Sequence, residues 1–154
     1  MYLYVNKHLT NMYAGKNEMD LFNQVQDLIP ETKEFNGEGS LRFASMKIQI
    51  AYWRKVNSIH NYFVNYCGNK KDECQEIYVY EENLRDLLSR IDTVLKEKTA
   101  NKSKEILPTL SGFFFGSTDY DEYYYKDLEY TKEIIEKIFK TFDKDTEFVY
   151  QASW

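Results

Sequence analysis

Cysteine and histidine are scarce in this chain of 154 residues, with two of each. Cys67 and Cys74 stand seven positions apart, a spacing that fits no structural zinc site, and no His-x3-His follows. No run approaches the roughly 18 apolar residues of a membrane span. The first residues lack the charged start, apolar middle and small-residue cleavage site of a secretion signal, so both thiols are expected reduced, in a cytoplasm. The local signatures of serine hydrolases, zinc peptidases and Ser-x-x-Lys enzymes are missing. The EF-hand loop is missing too. There is no internal repeat and no low-complexity tract.

What is present begins with charge. Twenty basic against 25 acidic residues give −5, which argues against a protein built to coat nucleic acid or an anionic membrane. The length suits one domain that folds without a metal or disulfide staple. Aromatic residues make up 17% of the chain and 14 of them are Tyr. The accompanying richness in Lys, Asn, Ile and Phe is the profile of an AT-rich genome. Where tyrosines cluster is therefore more informative than how many there are.

Tyr2, Tyr4 and Asn6 alternate with Leu3 and Val5, as in a short opening strand. Leu21, Phe22, Val25, Leu28 and Ile29 have helical spacing, and Pro30 stops that helix at Ile29. Residues 36–40 read as a turn. Ile48, Tyr52, Val56, Ile59, Phe63 and Tyr66 step by four and three, which predicts a first strong helix over 46–66, capped by Ser45 and ended by Gly68. It carries Lys47, Arg54 and Lys55 and no acid. Residues 68–74 form a polar turn and 77–80 a short strand. A second helix covers 82–98, with Leu84, Leu87, Leu88, Ile91, Val94 and Leu95 on its core face. Residues 99–103 read as a polar linker. A third helix starts at Asp119, capped by Ser117 or Thr118, with a stripe of Tyr124, Leu128, Thr131, Ile135, Ile138 and Phe142. Residues 146–154 read as a closing strand that pairs with 77–80 or with the opening strand. The expected fold is α+β: three main helices packed together with a small sheet of short strands.

Three constellations could carry function. Gly112 and Gly116 bracket three phenylalanines in the loop Ser111–Thr118, which enters a helix N-terminus where free N–H groups can hold an anion. No Gly-Lys-Ser/Thr follows, so this is not a P-loop, and Asp119, Asp121 and Glu122 oppose a phosphate. Arg54, Lys55 or Lys126 would have to help. Second, Trp53, Asn57 and His60 fall on one flank of the predicted first helix, beside Arg54 and Lys55. An indole, an amide and an imidazole there can stack on and hydrogen-bond a ring-bearing ligand, or serve as a polar edge of the core. Third, Tyr123, Tyr124 and Tyr125 span about 200° of a helix. They cannot all face one core, and Tyr125 falls with Glu129, Lys132 and Glu136 on the polar side. Tyr120 extends this cluster. Catalysis has one candidate set, His60 with Asp121 or Glu122.

The chain also resembles a family. Tyr52-Trp53-Arg54-Lys55…Ile59-His60 and Leu107-Pro108-Thr109-x-Ser111-Gly112-Phe113-Phe114-Phe115-Gly116-Ser117-Thr118-x-Tyr120-Asp121-Glu122-Tyr123 are similar to motifs in small open reading frames of tailed phages and prophages. The aromatic-Ser-Trp end of those proteins is matched more loosely by Tyr150…Ser153-Trp154. The likeness covers residues 46–154 and leaves 1–45 as a variable N-terminal segment of the single expected domain. It implies a phage origin and an intracellular accessory role outside the virion. By analogy with small accessory phage proteins, it suggests inhibition of a host component, counter-defence included. The expected partner is a host protein or, alternatively, a small nucleotide held as by a sponge, and the chain is expected to form a homo-oligomer. No cofactor is expected. The residues set forward for contact are Trp53, Arg54, Asn57, His60, Ser111, Gly112, Gly116, Ser117, Thr118, Tyr120, Asp121 and Tyr125.

Overall fold

Phe43, Ile48, Ile50 and Tyr52 are strand formers, and in the computed structural model their segment is a strand rather than the start of a helix. The structure describes residues 1–11, 15–35, 37, 42–112 and 116–153. Most of the turn expected at 36–40 and the three phenylalanines 113–115 lie outside the described residues.

The strands are β1 (Tyr2–Thr10), β2 (Phe43–Tyr52), β3 (Ile77–Val79) and β4 (Glu147–Gln151). They form one antiparallel sheet in the order β2-β1-β4-β3. The closing strand therefore pairs with both of its expected partners. Its register on β3 is Ile77 opposite Tyr150, Tyr78 opposite Val149 and Val79 opposite Phe148. The helices are α1 (Lys16–Asp27), α2 (Asn57–Tyr62), α3 (Glu81–Glu97), α4 (Ala100–Ile106) and α5 (Glu122–Thr141). A 3-10 turn covers Pro30–Phe35, and α2 continues as a π-helix over Phe63–Cys67. The fold is α+β.

The helix expected over 46–66 survives only from Asn57 onward. Its N-terminal half pairs instead with the chain start: the Met1 ammonium donates to the Trp53 carbonyl at 3.1 Å and Trp53 N–H donates back at 2.9 Å. Lys55 then takes φ = 62°, a left-handed conformation that no α-helix passes through. Gly68 does not supply the left-handed helix end either, since its φ is −95° and the positive angles fall on Asn69 and Lys70. A Cβ on Gly68 would stand 2.7 Å from Ile77 Cδ1 and 3.1 Å from the Val64 carbonyl, so what crowds this position is its closeness to β3 and to the preceding helical turn.

Two further boundaries move. The polar linker at 99–103 is largely helix: Thr99 Oγ1 accepts from Lys102 N–H and opens α4. Only Ser103 is buried in that helix, too few core positions for an apolar period to show. α5 is capped by Asp121, not by Ser117 or Thr118. The Asp121 carboxylate accepts from Tyr123 and Tyr124 N–H, both at 3.0 Å.

The chain groups into two compact units, one of residues 1–5 and 49–154, the other of residues 6–48. In the second, α1 buries Phe22 and Gln26. Arg42 lies 5.4 Å over the Phe22 ring and donates to Gln26 Oε1 at 2.9 Å. Leu28 and Ile29, expected on the apolar stripe, are exposed beyond the end of the helix. In the first unit, the core joins α2, α3 and α5 to one face of the sheet. Phe63 stacks on Tyr150 at 4.4 Å between ring centroids, with Trp53 6.1 Å from Phe63. Leu84, Leu87, Ile91, Leu128 and Ile135 close around them. No helix among the described residues is long and apolar enough to cross a membrane.

Candidate functional site

The flank drawn through Trp53, Asn57 and His60 assumed a helix through all three, and the left-handed turn at Lys55 removes it. Trp53 is 2% exposed and its Nε1–H donates to Thr131 Oγ1 at 3.0 Å, so its ring is core and not a contact surface. His60 is 1% exposed. Its Nδ1 meets the Tyr150 hydroxyl at 2.7 Å and its Nε2 meets Asp72 Oδ2 at 3.0 Å. With both ring nitrogens engaged inside the fold, His60 is not placed to work with Asp121 or Glu122. Those carboxylates have other tasks: Asp121 caps α5, and Glu122 pairs with Lys126 at 2.6 Å.

Tyr125 is also not a free contact residue. It is half-buried, with its hydroxyl 3.3 Å from Ser103 Oγ, its ring edge-on to Tyr124 and Lys98 Nζ 5.9 Å from the ring centroid. Tyr120 is half-buried as well, and its hydroxyl accepts from Thr109 N–H at 3.2 Å. Tyr124 is buried and donates to the Leu107 carbonyl at 2.9 Å. The tyrosine that meets water is Tyr123, at 75% exposure. Ser111, Gly112, Arg54 and Thr118 are exposed. The Thr118 carbonyl accepts from Thr109 Oγ1 at 3.0 Å.

Asn57, Gly116, Ser117 and Asp121 do come together. They line a cavity of about 250 Å³ in the first unit, together with Lys55 and Ser58. Asp119 and Asp127 also border it. The loop is fastened to α2 by Asn57 Nδ2–H, which donates to the Ser117 carbonyl at 2.6 Å. Ser117 Oγ donates to Asp119 Oδ2 and accepts from Asp119 N–H, both at 3.0 Å. Gly116 sits at φ = 84°, and a Cβ there would lie 3.1 Å from Lys55 Cβ and 3.2 Å from the Lys55 carbonyl. Gly116→Ala should therefore destabilise the protein by about 1–2 kcal/mol, the cost of a left-handed non-glycine residue, as read by urea denaturation. An unchanged midpoint would show that the loop relaxes freely away from Lys55.

The electrostatics of this cavity oppose a phosphate. The N–H groups that open α5 are occupied by the protein's own Asp121, and Asp119 and Asp127 add two more carboxylates. The Asp127 carboxyl is held above the usual carboxylate range, first by burial and then by repulsion from Asp121. Elsewhere in the unit, burial and then Asp86 push the Cys67 thiol up to about 12, and both cysteines are free.

A second feature lies on the sheet. Leu3, Ile77, Val79, Phe148 and Tyr150 belong to the core, so the pleat turns their neighbours Tyr2, Tyr4, Tyr78 and Val149 to the opposite face. Tyr2 stands 5.3 Å from Tyr52 and 6.0 Å from Tyr4 between ring centroids. Tyr52 and Tyr78 are each 45% exposed. Alternation at Tyr2 and Tyr4 was the one local sign of this face, and its other rings come from segments far apart in the chain.

Compared with known proteins, the chain matches no family model, no curated protein and no solved structure.

Proposed function

We propose that the chain is an accessory binding protein of a phage or prophage that occupies a host protein and blocks its action. The observation that carries this reading is the tyrosine face of the sheet, with Tyr2 beside Tyr4 and Tyr52, and Tyr78 opposite the fully buried Val149. Tyrosine gives a large, rigid contact area with a hydrogen-bonding tip at little cost in conformational entropy. Aromatic enrichment with few charges is the composition of a protein–protein interface core. A nucleic acid fits less well. By the same alternation, no Lys or Arg of β3 or β4 points to this face and Glu147 does. The motifs of residues 46–154 supply the phage context.

The test is affinity capture from host extract followed by calorimetry with the purified partner. The double variant Tyr52→Ser/Tyr78→Ser should keep its thermal midpoint within a few degrees. It should bind at least about 30-fold more weakly, the loss expected when an aromatic hot spot worth about 2 kcal/mol is truncated. Equal affinity for the wild type and this variant would remove the tyrosine face from the interaction.

A further inference from the structure

We infer that the cavity between the α2 start, the Gly116–Asp119 loop and the first turns of α5 binds a small organic cation carrying an ammonium or guanidinium group. The inference is independent of the tyrosine face.

The charge of the lining is the first argument. Asp119, Asp121 and Asp127 face one cation, Lys55, so three negative charges meet one positive. Among the described residues none of the three aspartates is in an ion pair, and Lys55 is in none either. The site therefore holds carboxylates without a counter-charge, and a bound cation would supply one. The Asp127 carboxyl is held above its usual range first by burial, with repulsion from Asp121 adding to it.

The second argument comes from neutral groups. Asn57 and Ser58 line the same cavity at 4% and 3% exposure. Asn57 spends its amide N–H on the Ser117 carbonyl, while its Oδ1 accepts no hydrogen bond among the described residues. Ser58 Oγ has no hydrogen-bond partner there either. Neither atom is fully sealed away from solvent. Polar atoms of nearly buried side chains that open onto a cavity without a protein partner take theirs from whatever fills it, water or the donors of a ligand.

Both features ask for a donor-rich cation. An ammonium offers three N–H donors and a guanidinium five, with no acceptor to clash with carboxylates or with Asn57 Oδ1. A bare metal ion fits less well, because no three His, Cys, Asp or Glu among the described residues are grouped closely enough to hold one. At about 250 Å³ the space falls below the roughly 300 Å³ at which pockets for drug-sized ligands begin, which suits a compact molecule.

The probes are 1,4-diaminobutane and agmatine, with 1,4-butanediol as the uncharged match for the diamine, in calorimetry and thermal unfolding. Both amines should bind and raise the thermal midpoint, and the diol should do neither. Asp127→Asn removes a half-buried charge that burial disfavours, so it should fold at least as well as the wild type and yet bind the amines at least 10-fold more weakly. Ser58→Ala should weaken them less. Failure of both amines to bind, binding of the diol as tightly as the diamine, or full affinity in the folded Asp127→Asn protein would each overturn the assignment. Intact amine binding by Tyr52→Ser/Tyr78→Ser keeps this result separate from that of the docking face.

Discussion

Trp53→Ala should lower the unfolding free energy by about 3–5 kcal/mol, a loss large enough to leave many domains of this size marginal. Trp53 is 2% exposed, with Phe63 and Tyr150 at 6.1 and 6.4 Å between ring centroids. Removing the indole opens a cavity in a packed core and also leaves Thr131 Oγ1 without its donor. Trp53→Phe separates the two contributions. It keeps most of the ring volume and loses the Nε1–H bond, so it should cost much less than the alanine. Urea denaturation followed by far-ultraviolet circular dichroism measures both without depending on the fluorophore being removed. A Trp53→Ala protein with wild-type stability would contradict the burial of this ring and reopen its use as a contact surface.

Tyr150→Phe should cost about 1–3 kcal/mol although it deletes one oxygen, because it strands His60 Nδ1 inside the core. Replacing both partners is gentler. The double variant His60→Leu/Tyr150→Phe should lose less than the sum of its two single losses, since neither residue then leaves the other unpaired. Asp72, whose side chain is 27% exposed, can turn to water. The pair also shapes alkaline stability. The Tyr150 phenol is raised above its ordinary value of 10.0, first by burial and then by Asp72 and Cys74. A raised pKa means that the folded chain keeps a proton the unfolded chain releases. Its contribution is thus fully present below about pH 10 and is lost as pH climbs toward the folded value. Tyr62 and Tyr124 are raised in the same direction, again with burial as the largest cause. Stability should therefore fall steadily above about pH 10, and Tyr150→Phe should flatten that fall. Denaturant midpoints between pH 7 and 11 give the comparison, and identical slopes would deny the phenol any role.

Helices whose buried face comes from their own residues could be read from spacing. Leu84, Leu87, Ile91 and Val94 are all buried on α3, and Tyr124, Leu128, Thr131, Ile135 and Ile138 on α5. β2 could not be read that way. Ile48 and Tyr52 are four apart, as in a helix, but Ile48, Ile50 and Tyr52 are also two apart, as in a strand. What selects the strand is Met1, whose backbone bonds to Trp53 from 52 positions away. The misplaced flank of Trp53, Asn57 and His60 follows from that one ambiguity, because a helical wheel means nothing across a left-handed residue.

The candidate cavity was half visible. Asn57, Gly116, Ser117 and Asp121 stood out by residue type and position, whereas Lys55 and Asp119 entered only as neighbouring charges and Ser58 and Asp127 not at all. The sign of the ligand charge changed for a physical reason. A helix N-terminus attracts anions only while its N–H groups are free, and Asp121 had already filled them.

By itself the amino-acid sequence determined the α+β class, α3, α5 and the short strands β3 and β4, because these follow from periods of two and 3.6 residues that are local properties of the chain. Tertiary structure alone decided that Trp53 and His60 are core, that four tyrosines share one sheet face and that unpaired acceptors of α2 meet the carboxylates of α5. Each of these depends on which distant backbone closes on which, and no local period records that.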